Sequence, residues 1–101
     1  MRIMMVCTLP VESFNEAVKD GSTGAKMKKI IDAIKPEAAY YTAFNGKRTA
    51  FLIVDLPDPS KIPSLAEPWF LTFNASIDMY PVMVPQDLAN AGLDGLGKAW
   101  G

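Results

Sequence analysis

Residues 37–55, EAAYYTAFNGKRTAFLIVD, contain two β-rich runs that are joined by Asn45-Gly46. Asn-Gly between such runs is the strongest short hairpin signal, because a type I′ turn needs positive φ at both central residues. The stretch therefore predicts a β-hairpin with strands over 37–44 and 47–55. A turn of only two residues also sets the register of the two strands.

This register divides the hairpin into two faces. The predicted opposite pairs are Phe44–Lys47, Thr42–Thr49, Tyr40–Phe51, Ala43–Arg48 and Tyr41–Ala50. One face then carries Ala39, Tyr41, Ala43, Ala50, Leu52 and Val54, and the other carries Tyr40, Thr42, Thr49, Phe51 and Ile53. Neither face is polar enough to be fully solvated. A sheet that is apolar on both sides must be covered on both sides.

The segment before the hairpin predicts a strand followed by an interrupted helix. Residues 2–8 form an apolar run that ends before Pro10, which is typical of a buried strand. Ser13 and Glu16 have the spacing of a capping box and predict a helix start at that point. Apolar residues then recur at helical spacing, with a break near 21–24, until Pro36 stops the helix.

The segment after the hairpin predicts a helix, a strand and a last, weaker helix. Residues 58–73 begin with Asp58-Pro59 and a Ser60 cap, and carry the helical stripe Ile62, Leu65, Ala66, Trp69 and Phe73. Residues 75–84 alternate as a strand, and Pro81 predicts that this strand lies at a sheet edge. In the last helix, over 86–100, we expect Leu93, Leu96 and Trp100 to dock on the domain body or on a partner subunit.

The predicted order is β-α-β-β-α-β with an extra C-terminal helix, within one domain that spans 1–101. This is the ferredoxin-like α+β arrangement, with a four-stranded antiparallel sheet and both crossover helices on one side. The second apolar face of the sheet is then left for a partner. We expect a homodimer in which two such sheets pack face to face.

The overall composition excludes several classes of partner. Ten basic and eleven acidic residues leave no positive excess for phosphate groups, so neither nucleic acid nor an anionic membrane is expected. No apolar run approaches the ~20 residues of a membrane span. The N-terminal residues do not resemble a signal peptide, and the single cysteine, Cys7, allows no internal disulfide. These features favour the cytoplasm.

The chain contains no histidine. This removes Ser-His-Asp and Cys-His catalytic arrangements, as well as histidine ligands for metals or haem. Carboxylates are not clustered in the sequence as a hard-metal site requires. We therefore expect neither a metal nor a cofactor.

Two segments resemble a known family. KPEAAYYTAFNGKRTAFLIVDLPDPSKIPSLAEPWFLTFNA (35–75) and PVMVPQDLANAGL (81–93) resemble small bacterial domains of unassigned function within the dimeric α/β-barrel superfamily, the group around the antibiotic-biosynthesis monooxygenases. The resemblance implies a ferredoxin-like fold and dimerisation. Members of this superfamily include cofactor-independent oxygenases, muconolactone-type isomerases, haem-degrading enzymes and proteins without known activity. The haem-degrading branch uses a histidine ligand, which this chain lacks.

Six side chains are candidates for a ligand cavity between two packed sheets. They are Tyr40, Thr42, Thr49, Phe51, Asp78 and Tyr80. Aromatic rings with a few hydroxyls and one carboxylate suit a small planar organic ligand. The same residues are equally typical of a dimer interface, with hydroxyls paired across strands. Asp78, if buried, can act as a general base; otherwise it is a solvated carboxylate or an ion-pair partner of Arg2 or Arg48.

Two further features have simpler interpretations. Residues 21–26, GSTGAK, superficially resemble a phosphate-binding loop, but both the spacing and the ending differ, so a helix break is favoured. Cys7 lies in an apolar run and is expected to be a core residue.

Two functions stay open: a non-enzymatic dimeric module that binds a small ligand or serves as an accessory subunit, and a cofactor-independent monooxygenase or isomerase acting on a small aromatic or enolic substrate.

Overall fold

The computed structural model describes residues 1–101 and contains four strands and five α-helices. The strands are β1 (Arg2–Thr8), β2 (Ala38–Phe44), β3 (Lys47–Asp55) and β4 (Ser76–Pro81). The helices are α1 (Val11–Asp20), α2 (Thr23–Ile34), α3 (Ile62–Phe73), α4 (Pro85–Ala89) and α5 (Leu93–Trp100). One turn of 3-10 helix (Pro59–Lys61) leads into α3.

All four strands form one antiparallel sheet in the order β2-β3-β1-β4. This order confirms the ferredoxin-like α+β fold with an additional C-terminal helical segment. β4 lies at a sheet edge, as Pro81 predicted, because proline cannot donate a ladder hydrogen bond. β1 lies in the interior of the sheet between β3 and β4.

The hairpin has the register that its two-residue turn predicted. Tyr40 lies opposite Phe51, and Thr42 lies opposite Thr49. Both turn residues have positive φ, 53° at Asn45 and 76° at Gly46, as a type I′ turn requires.

The hydrophobic core lies between the sheet and α1–α3. From the sheet it takes the alternate residues of β1 and β3, and from the helices one side of each. Its main members are Ile3, Met5, Cys7, Ala50, Leu52, Val54, Phe14, Ile30, Leu65, Trp69 and Phe73. Trp69 is fully buried, and the Phe73 ring lies between it and Phe14, at centroid distances of 6.2 and 5.3 Å. The aromatic side chains thus bind α1 and α3 to the same side of the sheet.

Two predicted helix caps are wrong. α1 begins at Val11 instead of Ser13, because Pro10 has φ −67° and its carbonyl accepts the first helical hydrogen bond, from Phe14 N–H at 3.1 Å. The cap predicted at Ser60 is replaced by Asp58, which caps the 3-10 turn before α3: its Oδ1 accepts from the backbone N–H of Ser60 at 2.9 Å, whereas α3 itself begins after Lys61 without a side-chain cap. Only Asp58 is a side-chain cap, since Pro10 makes no side-chain hydrogen bond to the first turn of α1.

The C-terminal segment departs most from expectation. It forms two short helices, α4 and α5, separated at Gly92, which has φ 74°. Every residue from 85 to 101 is exposed, so Leu93, Leu96 and Trp100 do not dock on the body of the same chain. The radius of gyration is 16.9 Å, whereas a compact chain of this length has about 13 Å. We refer to residues 85–101 as the C-terminal arm.

None of the five helices is both long enough and apolar enough to cross a membrane.

The turn makes a direct test of the hairpin possible. We expect Gly46→Val to lower the free energy of unfolding by roughly 1–2 kcal/mol, because a β-branched residue is strained at positive φ. Urea denaturation measures this change. Gly46→Asn is the matched control, since Asn tolerates the left-handed region, and it should cost clearly less. Equal stability of the valine variant and the wild type would contradict the type I′ assignment.

Candidate functional site

The face of the sheet opposite the helices is uncovered. Because side chains alternate along each strand, the strand register arranges this open face into rows that run across the sheet. One row consists of Tyr40, Phe51, Val6 and Asp78. The next row consists of four hydroxyl side chains, Thr42, Thr49, Thr8 and Ser76. A third row consists of Ala38, Ile53, Met4 and Tyr80.

All six side chains of the predicted ligand set therefore lie on one face of one sheet. The ring of Phe44 contacts the ring of Phe51 edge-on, at a centroid distance of 5.3 Å. Phe44 lies on the far side of the hydroxyl row from Phe51, so its ring extends over that row. Beneath this contact Thr49 is 2% exposed, and its hydroxyl donates to the Lys47 carbonyl at 3.1 Å. Thr49 is thus a packing residue and is not free to bind a ligand.

An open groove of about 450 Å³ runs over this face. Its lining consists of Met4, Val6, Thr8, Phe44, Asn45, Lys47, Phe51, Asp78 and Tyr80. Three of the six predicted residues, Phe51, Asp78 and Tyr80, line the groove. Tyr40 and Thr42 share the face but lie outside the lining, and Thr49 lies below it.

Sequence reasoning missed the contributions of β1 and of the turn to this groove. Met4, Val6 and Thr8 enter because β1 lies beside both β3 and β4. The alternation of side chains along β1 predicts that Met4, Val6 and Thr8 share one face. Which face of the sheet this is depends on the neighbouring strands, which the sequence of β1 does not specify. Asn45 belongs to the predicted turn and Lys47 begins the strand after it, and the predicted Phe44–Lys47 pair already placed Lys47 on the correct side.

Asp78 has no ion-pair partner on this face. Arg2 pairs with Glu37, with 2.5 Å between Nε and Oε1. Arg48 donates a hydrogen bond to Asn15 Oδ1 at 2.8 Å, and its guanidinium lies 5.2 Å from the centre of the Phe14 ring. Neither predicted arginine partner therefore reaches Asp78. The carboxylate is exposed in the single chain.

The groove has a defined chemistry. Its floor is apolar and aromatic, with a carboxylate and a phenol on β4 and the Lys47 ammonium near the turn. A carboxylate accepts hydrogen bonds and an ammonium donates them, so the two can orient a polar group of a flat molecule from different sides. The groove therefore combines an apolar floor with one negative and one positive side chain.

Cys7 lies on the other side of the sheet, in the core. It is fully buried, and this burial raises the pKa of its thiol to about 12. The thiolate is the nucleophilic form of cysteine, so Cys7 has no nucleophilic role at neutral pH. This position agrees with its interpretation as a core residue.

The loop that resembles a phosphate-binding loop is a helix break. Asp20 Oδ1 accepts a hydrogen bond from Ser22 N–H at 2.8 Å, and hydrogen bonds from Ser22 hold the pKa of Asp20 below its usual value. A carboxylate thus occupies the amide that an anion would need, and its charge repels an anion. Gly21 has φ 79° and ends α1.

A second groove, of about 460 Å³, lies at the end of the sheet where β1 begins. Arg2 lines it together with Glu37, Asp55 and Asp87, and the bonded Glu37 raises the pKa of Arg2. The arginine is thus neutralised by its neighbour. No three His, Cys, Asp or Glu side chains are arranged to hold a metal ion.

No protein-family model and no curated protein matches this chain.

The burial of Cys7 predicts its reactivity. We expect the native thiol to be labelled by a disulfide reagent at pH 8 at least roughly a hundredfold more slowly than in urea-unfolded protein, because it is both inaccessible and protonated. Absorbance of the released thiolate gives both rates, and the chain has no second cysteine to complicate them. Rapid labelling of folded protein would contradict a closed core around β1.

Proposed function

We propose that this protein is a homodimeric module that binds a small planar organic ligand between two packed sheets. The observation that carries the proposal is the aromatic open face. Tyr40 is 67% exposed, Tyr80 is 50% exposed and Phe44 is 47% exposed, all on the side of the sheet opposite the helices. A sheet with two apolar faces needs a cover on each.

The same observation supports the dimeric α/β-barrel superfamily as the origin of the chain. In that architecture two ferredoxin-like sheets face each other and enclose a space between them. The strand order β2-β3-β1-β4 is that of a ferredoxin-like sheet, and the aromatic face is a surface on which a second sheet can pack. A lone buried cysteine further favours a reducing compartment, and we propose the cytoplasm.

Pairing of two sheets turns an open groove into an enclosed one. A two-fold axis brings the same patch of each subunit against the other, so the two grooves face each other or lie side by side. Enclosure removes water from around Asp78 and strengthens its hydrogen bonds to a ligand. An acceptor at this position selects a ligand with a hydroxyl donor, such as a phenol or an enol.

A second candidate is an enzyme that acts on such a ligand. It is favoured by Asp78 and Tyr80, two residues apart on the same face of β4 and both in the groove lining. In an isomerisation of an enolic substrate, the Asp78 carboxylate would take a proton from one carbon and return it to another, without a cofactor. Turnover that is lost in Asp78→Asn, with ligand binding retained, would favour this candidate over simple binding.

The proposed dimer predicts the effect of a charge on the open face. Tyr40→Glu changes an exposed residue, so the single chain should fold normally. A carboxylate buried in the interface on each subunit should weaken dimerisation by at least roughly a hundredfold. Sedimentation equilibrium measures the constant, with Leu71→Glu as the control because Leu71 is 82% exposed on the helix side. A wild-type protein that is monomeric at tens of micromolar would refute the dimer.

The ligand class is tested with 2-naphthol, a flat fluorescent phenol, against naphthalene, which lacks the hydroxyl. We expect the wild type to bind 2-naphthol at least about tenfold more tightly, since a hydrogen bond to a carboxylate is a strong one. Asp78→Ala, which has no acceptor, should remove this preference and leave naphthalene binding unchanged. Equal affinity of the wild type for both probes would exclude Asp78 as the recognition group.

A further inference from the structure

The C-terminal arm presents an apolar side that the body of the chain does not cover. Leu93, Leu96 and Trp100 recur at spacings of three and four, so they lie on one side of α5. Trp100 is 87% exposed, Leu93 is 55% exposed and Leu96 is 50% exposed. The polar residues Asp94 and Lys98 lie on the opposite side of the helix.

α5 is a poor helix without a contact. It is only eight residues long and contains Gly95 and Gly97, which are unfavourable in a helix. Isolated helices below ~12–15 residues are marginal in water even with good helix formers. The order of the arm therefore depends on a surface that receives its apolar side.

The charges of the arm restrict what this surface is. Residues 85–101 contain two aspartates, Asp87 and Asp94, and one lysine, Lys98. Helices that lie on anionic membranes carry many lysines and arginines on their polar side, and nucleic-acid contacts need the same residues. The receiving surface is therefore that of a protein.

The area of the uncovered apolar surfaces points to a second copy of this chain. The exposed parts of Tyr40, Phe44 and Tyr80 on the sheet and of Leu88, Leu93, Leu96 and Trp100 on the arm amount to roughly 800 Å², close to the ~800 Å² per partner of a standard interface. The arm supplies rather more than half of the exposed area of these seven residues. In a dimer, each copy can cover both the open sheet face and the apolar side of the arm of the other copy.

The path of the chain is continuous with the proposed interface. β4 is an edge strand, and its residues Asp78 and Tyr80 belong to the open face. The chain stays attached to the sheet as far as Val82, because the Val82 N–H donates to the Arg2 carbonyl at 3.2 Å. The arm departs three residues later, at the margin of that face. It thus starts beside the surface that receives the partner.

We propose that the C-terminal arm of each protomer lies against the other protomer, with Trp100 as its main anchor. The inference rests on the proposed dimer and assigns part of its interface to a segment outside the sheet. By two-fold symmetry both arms make the same contact.

Tryptophan fluorescence tests the arm directly, because the only other tryptophan, Trp69, is fully buried. Below the dissociation constant of the dimer, acrylamide should quench a Trp100 component at the rate of an exposed indole. Above it, we expect the quenching constant of that component to fall at least threefold and its emission to shift to the blue. Trp100→Phe removes the component and identifies it.

The variant Leu93→Ser/Leu96→Ser should weaken dimerisation at least about tenfold in sedimentation equilibrium. Asp94→Ser/Lys98→Ser is the matched control, on the opposite side of the same helix, and should leave the constant within about twofold.

The outcomes separate the arm from the dimer itself. A full-length protein that stays monomeric overturns both the dimer and the arm contact. A dimer in which Trp100 stays fully quenchable and the leucine variant associates normally overturns the arm contact alone. A shielded Trp100 at concentrations where the protein is monomeric overturns it in favour of docking on the same chain. A blue shift that requires phosphatidylglycerol vesicles, and not dimerisation, overturns it in favour of a membrane.

Discussion

The two-residue turn at Asn45-Gly46 is the constraint on which the rest of the structure depends. With both φ values positive, the turn allows only one pairing of β2 with β3. That pairing puts Leu52 and Val54 against the helices and Phe51 and Tyr40 on the open face. A slip by one residue would exchange the two faces, so the core and the candidate ligand groove are both consequences of the same turn.

Most of the fold could be predicted from the sequence because its signals are local. The turn, the apolar run of β1, the stripe of α3 and Pro81 each act within a few residues, and together they restrict the topology to one familiar arrangement. The helix caps were harder to predict, since Ser13 and Ser60 compete with Pro10 and Asp58 a few residues away. The position of the C-terminal arm could not be predicted, because Leu93 and Trp100 mark an apolar side of the helix but do not specify what covers it.

The candidate site was predictable in its face and less so in its membership. Period-two alternation put the six candidate side chains on one side, and the observed register agrees. Which of them a ligand can reach depends on packing across strands that are distant in the sequence. The Phe44–Phe51 contact buries Thr49, and the position of β1 brings Met4 and Val6 into the groove. The pairing of Arg2 with Glu37, which leaves Asp78 without a cation, likewise joins residues far apart in the chain.

The position of β2 at the edge of the sheet has a consequence for solubility. Its sequence, Ala38–Phe44, contains no charge, no proline and no glycine, and it has three aromatic rings in seven residues. One row of its backbone N–H and C=O groups faces away from β3 and is unpaired within the sheet. Such segments are templates for intermolecular cross-β stacking, and proteins restrain them with charges and breakers on either side. Here Pro36 and Glu37 precede the strand and Lys47 and Arg48 follow the turn after it, which is the arrangement of breakers and charges that restrains such stacking.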